Sequence, residues 1–452
     1  MTPSLVAPRS CSPLPWLLAL FMAGASLADE PGTLKWLTDE HLKLIGLARK
    51  DGLLEEALEE TTLETKVKSW ADPTVKTVAD IAGRPWITGW DDARHRKYLA
   101  FAEKRKAMRK AAAAKIVALG NEKKTAGDAE LSARAWRWAL RYDPEHKEAH
   151  EKLGEAFVDR QGWFPKEEAD KRKKGLLPIG AEWLPAKQVE ARRSNWAEAW
   201  VVAGEHFEVT SNHSLAGAQD VLARAEEMYR AVVRELHRLA EPPATEGLMK
   251  IYYFASRADL DEHDRTAHGD RPGLKQAPGF FSNEDRIGHF FPLPANALNS
   301  LQDIVRHEGA HQVAYWLWKA QGQPPSRPHF WAWEGFATYF ESVEVRDGKV
   351  LVGNANHLRV KQFREEFAGG KHVPLAEFVT LDQRGVSGKY SQCAALTHFF
   401  MNAGEGKYRE KFVAYVKVIH EARAEPGTFE SSFGKKPAEF QTEWEAYVRS
   451  LK

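Results

Sequence analysis

Five consecutive residues, His307, Glu308, Gly309, Ala310 and His311, set two imidazoles one helical turn apart around a carboxylate. Side chains four apart on a helix share a face, so both rings can turn a nitrogen toward one cation while Glu308 stands beside it. Two histidine donors with an adjacent carboxylate are the ligands and base of zinc-dependent hydrolysis. The geometry needs a helix. Around the five residues Leu301, Ile304, Val305, Ala314, Tyr315, Leu317 and Trp318 recur near the 3.6-residue period, with Ser300 placed to cap the start and Asp303 at the third helical position.

A second helical run follows, Trp331 to Glu341, which reads as amphipathic with Trp333, Phe336, Ala337 and Phe340 on its apolar side. Glu334 lies on it, within the segment EGFATYFE, 23 residues after His311. With these two helices the sequence resembles the gluzincins, the peptidase-MA-like zinc metallopeptidases in which the two histidines of HExxH and a glutamate on the next helix hold one metal. The resemblance implies His307, His311 and Glu334 as zinc ligands, with a water at the fourth, open position of a catalytic site. Glu308 would then take the proton of that water, whose pKa a bound zinc lowers from 15.7 to about 7, and pass it to the leaving amine.

A ligating histidine usually donates its other ring N–H to a carboxylate or carbonyl. Glu341, seven residues beyond Glu334, and Asp303, one turn before His307, are the candidates, and Asp303 reads equally as part of a cap. For the oxyanion, the resemblance points to the segment Gly388 to Gln392, and Tyr390 is the chosen donor. Tyr390 reads equally as a packing residue ahead of the apolar helix Cys393 to Met401. His357, His372 and His398 are weaker rivals. Trp316, Trp318, Trp331 and Trp333 are read as core, with cleft lining as the alternative.

The elements that must position these residues begin near residue 201. His206 to Thr210 and Leu248 to Phe254 are β-rich, Ala216 to Leu239 between them is a long amphipathic helix, and Gly279 to Phe281 with Ile287 to Phe291 reads as a hairpin around a polar turn. Strands thus precede the HExxH helix and helices follow it. The fold class is α+β, and over residues 201–452 the order resembles the gluzincin plan of a small mixed sheet, the HExxH helix and a helical C-terminal lobe. That plan implies an edge strand pairing with substrate backbone, for which the Gly279–Phe291 hairpin is the candidate. No GAMEN-like segment precedes HEGAH, which favours an endopeptidase, or a peptidase of unfamiliar specificity, over a typical aminopeptidase, and no calcium loop is evident, so zinc is the only metal expected.

Residues 29–200 read as a mostly helical accessory region. Ala135 to Gly154 resembles a join between tetratricopeptide repeats. Gly162-Trp163-Phe164-Pro165-Lys166 is echoed twenty residues later by Glu182-Trp183-Leu184-Pro185-Ala186, which suggests two turn-helix units. Such a region could bind a protein partner or simply cap the catalytic domain. A helical, repeat-like front half joined to a peptidase-MA-like back half is similar to a group of exported bacterial proteins whose substrates their fold does not imply.

Residues 1–28 are read as a signal peptide: Arg9, an apolar core from Trp16 to Ala25, and Ser26-Leu27-Ala28 as the cleavage site. The core is too short for a membrane span, so the expected product is exported, periplasmic or extracellular, with no span in the mature chain. Removing it leaves 63 basic against 63 acidic residues, a neutral chain that argues against nucleic acid as partner. It also removes Cys11, so Cys393 has no internal disulfide partner. The expected function is a zinc-dependent peptidase acting on a peptide or protein substrate. The alternative is a catalytically silent binding scaffold working through residues 29–200, against which Glu308 argues, since a structural zinc site needs no base.

Overall fold

The computed structural model describes residues 31–53, 56–57, 60, 92–159, 161–236, 247–269, 277–295, 297, 299–318 and 327–451. The expected signal peptide, with Arg9 and Cys11, lies outside them. The chain divides into two compact units, the first ending at Val189 and the second running from Glu190. Among the described residues no helix is long and apolar enough to cross a membrane.

The first unit is built on α1 (Pro31–Asp51), α2 (Asp92–Thr125) and α3 (Ala129–Tyr142). α2 is charged along most of its length, and a seam of Tyr98, Phe101, Ala112, Ile116 and Val117 buries it against Leu37 and Leu44 of α1 and Trp136 of α3. Asp128 starts α3 by accepting the Leu131 N–H at 2.9 Å. A short turn through Asp143 leads to α4 (Lys147–Lys152).

The tandem echo differs from the turn-helix pair expected. Each copy is a hairpin followed by a helix: β1 (Glu155–Val158), β2 (Gly162–Pro165) and α5 (Lys166–Lys173), then β3 (Leu176–Ile179), β4 (Glu182–Pro185) and α6 (Ala186–Arg193), within which the division between units falls. Pro165 and Pro185 end the second strands, since proline cannot donate to a ladder. The next amides, Lys166 and Ala186, return to the carbonyls of Gly154 and Gly175 at 3.1 Å in both copies. Four-residue strands carry too little alternation to be read from sequence.

The second unit contains β5 (Trp200–Ala203), β6 (Phe207–Ser211), α7 (Leu215–Leu236), β7 (Met249–Tyr253), α8 (Arg257–His268), β8 (Gly279–Ser282) and β9 (Ile287–Phe290). The five strands form one mixed sheet in the order β5-β6-β7-β9-β8. β6, β7 and β9 run parallel, and the antiparallel β5 and β8 occupy its two edges. Val209, Ile251 and Phe290 turn into the core beneath α7.

α9 (Leu301–Trp318) carries the two histidines. Ser300 and Asp303 close a reciprocal capping box, each backbone N–H donating to the other's side chain at 3.1 Å. Gly309 lets α7 approach: a Cβ there would come within 2.5 Å of Met228 Cε. Gln312 locks the helix to the sheet through the carbonyls of Lys250 at 2.9 Å and Arg286 at 3.1 Å.

α10 (Phe330–Glu341) carries Glu334, and all twelve of its residues are buried, so it has no solvent face and the amphipathic reading does not hold. It runs through the middle of the unit against α9, α14 (Tyr390–Gly406) and α15 (Arg409–His420). Gly335 is the close approach to α14, where a Cβ would meet the Thr397 hydroxyl and lie 3.0 Å from the Cys393 carbonyl. Between α10 and α14 lie a hairpin, β10 (Glu344–Arg346) and β11 (Lys349–Leu351), then α11 (Leu358–Ala368), α12 (Leu375–Phe378) and α13 (Gln383–Val386). Strands therefore do not all precede the HExxH helix. The class is α+β, with mixed sheet and helices in one core.

Candidate metal centre

One turn of α9 and the first half of α10 bring three donors together. His307, His311 and Glu334 each offer a ligand atom within 4.8 Å of the others, all three residues buried, and they are the one such group among the described residues. Glu334 Oε2 lies 3.1 Å from His307 Nε2 and 3.9 Å from His311 Nε2, so the same nitrogen of each ring faces the carboxylate.

The opposite nitrogens are held differently. His307 Nδ1 donates to Glu341 Oε1 at 2.8 Å, which decides between the two candidate acceptors. Asp303 serves the cap and stands 3.5 Å from His357 Nε2, away from the triad's rings. His311 Nδ1 is buried with no hydrogen-bond partner among the described residues, and its ring is fixed by stacking on Trp333 at 4.7 Å.

Charge asks for a cation here. Burial alone would lower the pKa of His307, but hydrogen bonds to Glu334 and Glu341 outweigh it and raise it to about 10. Burial would likewise raise Glu334, yet its bonds from His307 and His311 hold it at about 2. The donor set itself, two buried imidazoles with a buried carboxylate, suits a divalent metal of the zinc type.

Glu308 is half-buried beside the triad, and its Oε2 accepts the Phe281 N–H of edge strand β8 at 2.9 Å. Burial pushes its pKa up against the pull of the two histidines. Above the donors opens a cleft of about 260 Å³, lined also by Phe281, Asn283, Phe330, Trp333, Gln383 and Tyr390. Tyr390 is the first residue of α14, its ring 6.3 Å from that of His307. Burial, reinforced by Glu334, raises its phenol well beyond the ordinary value.

The rival histidines are engaged elsewhere. His398 donates from Nε2 to the Gly353 carbonyl at 2.9 Å and accepts from the Tyr447 hydroxyl at 2.8 Å. His357 precedes α11, and His372 packs against Phe367 and Trp444. Of the four tryptophans Trp333 lines the cleft, while Trp318 and Trp331 are core and Trp316 borders a separate small cavity. The sequence reading missed the cleft contributions of Asn283, Phe330 and Gln383. It also missed Arg359, whose Nε donates to Glu341 Oε2 at 3.1 Å.

Residues 303–426 match a family model described as a protein of unknown function, DUF1570. The matched stretch contains the three donors, Glu308, Glu341, Arg359 and Tyr390. No curated protein matches the chain.

Proposed function

We propose that the protein is an exported zinc-dependent peptidase of gluzincin type, with His307, His311 and Glu334 as ligands and Glu308 as general base. The convergence of one carboxylate on two same-face imidazoles carries the reading, with Glu308 at the edge of the same cleft. When bound, zinc supplies Lewis acidity, which acidifies water and polarises a scissile carbonyl.

The protein's own groups account for the rest. Glu308 spends one oxygen on the Phe281 amide, which fixes the carboxylate and leaves the other oxygen to take a proton from water. The same carboxyl can then return that proton to the leaving amine. Tyr390, kept neutral, donates its hydroxyl proton in a hydrogen bond to the developing oxyanion. β8 lies at the sheet edge with its Phe281 amide beside Glu308, which suits strand-like pairing of an extended peptide along the cleft.

The test is metal analysis of the purified chain together with cleavage of a mixed peptide library by wild type and Glu308→Gln. One zinc per chain in both proteins is expected, with activity reduced at least a hundredfold in the variant, on the scale of a lost general base. Zinc bound without cleavage by either protein would support a binding scaffold instead.

A further inference from the structure

His307 is the best supported donor, and the contacts behind it lead out of the metal site. Its Nδ1 donates to one oxygen of Glu341 at 2.8 Å, and the other oxygen accepts from Arg359 at 3.1 Å. Arg359 sits at the start of α11, and its guanidinium carbon lies 5.6 Å from the centre of the Tyr390 ring. One side chain therefore touches both the carboxylate behind a ligand and the proposed oxyanion donor.

The arrangement answers a physical need. Glu341 is 1% exposed, on a helix with no basic residue of its own. A buried carboxylate without a cationic partner is strongly destabilising. Arginine meets the need better than lysine, because its planar fork fixes a carboxylate's orientation as well as its charge, and it stacks on aromatic faces. The charge balance points the same way: Glu308, Glu334 and Glu341 bring three carboxylates and Arg359 one positive charge, leaving two negatives for one divalent cation.

We infer that Arg359 is a positioning residue of the metal centre: through Glu341 it orients His307 so that Nε2 faces the metal, and it seats the Tyr390 ring over the cleft. This rests on the proposed metal site and adds a residue outside the HExxH and glutamate pattern.

The experiment measures zinc dissociation constants by competition with a chromophoric chelator. It uses metal-stripped wild type, Arg359→Met, Arg359→Lys, Glu341→Gln and the Arg359→Met/Glu341→Gln double variant. Arg359→Met is expected to weaken zinc about 10- to 100-fold, the range for lost support of a ligating histidine. Arg359→Lys should fall between, at about fivefold, keeping charge without the fork. In the Glu341→Gln background the Arg359→Met change should add less than about threefold, because the effect passes through Glu341.

Circular dichroism establishes which variants fold, and if Arg359→Met does not, Arg359→Lys decides. Zinc affinity within twofold of wild type in the folded Arg359 variants overturns the inference, as does an equal loss with and without Glu341. If wild type itself binds no zinc, the metal reading falls together with it. If wild type binds zinc and cleaves peptide while the variants match its affinity, the inference alone fails.

Discussion

The two units bury similar histidine networks to different ends. In the first, His41 Nδ1 donates to Glu60 Oε2 at 2.8 Å, Glu60 Oε1 accepts from Arg109 at 3.0 Å, and His41 Nε2 lies 3.2 Å from the Tyr142 hydroxyl. In the second, His307, Glu341 and Arg359 repeat the order of imidazole, carboxylate and guanidinium at 2.8 and 3.1 Å. The difference lies on the far side of the ring. His41 meets one phenol and its network is closed, whereas His307 meets Glu334, with His311 and Glu308 close by and a cleft above. A buried histidine–glutamate–arginine chain is a staple when each group is matched inside the protein. It becomes a candidate site when donors and negative charge are left over.

That contrast can be broken most directly by removing metal. If the proposed zinc binds, stripping it from protein kept with free zinc at a thousandfold excess over Kd is expected to cost the second unit about 4 kcal/mol. Amide hydrogen exchange should show this in α9 and α10 while α1 to α3 keep their protection, and in Glu334→Gln the difference should vanish. Equal losses in both units would end the comparison. The reverse experiment is Glu60→Ala, which leaves Arg109 and His41 without their shared partner. It should cost about 3 kcal/mol in urea unfolding, as expected for breaking a buried pair from one side, with zinc affinity unchanged.

A third buried histidine sharpens the role of the carboxylates. His398 bonds to a carbonyl and a phenol and has no acid beside it among the described residues, and burial lowers its pKa to about 4. Since the folded value lies below the unfolded one near 6.5, the unfolded chain takes up the proton first. Its contribution is intact above pH 6.5 and is lost as pH falls toward 4, about 2 kcal/mol between pH 7 and 5 by linkage. Urea midpoints at the two pH values should show that slope in wild type and a shallower one in His398→Gln. The smallest effect belongs to the start of α9: Ser300→Ala should cost about 1 kcal/mol of stability through the lost cap, measured by thermal unfolding.

Local spacing made part of the site legible. His307 and His311 are one turn apart in any helix, and the apolar period with the Ser300–Asp303 box marks that helix in sequence. The next helix was legible in extent but not in environment. Its composition did hold a signal, since Glu334 and Glu341 are the two charged residues in an otherwise uncharged run. The choice between Glu341 and Asp303 was open, because each lies a whole number of turns from a donor and only the crossing of α10 over α9 separates them. Arg359 gave no signal. It reaches Glu341 across an intervening hairpin, and the Phe281 amide reaches Glu308 from a strand on the other side of α9.

The sequence alone thus determined the pair of imidazoles, the adjacent carboxylate and the helical frame under them, because an α-helix converts spacing into direction without help from the rest of the chain. Tertiary structure decided which carboxylate meets which nitrogen, what stands behind the two imidazoles and which strand borders the cleft. Those contacts join elements far apart in sequence, and close packing of a buried core fixes their meeting points.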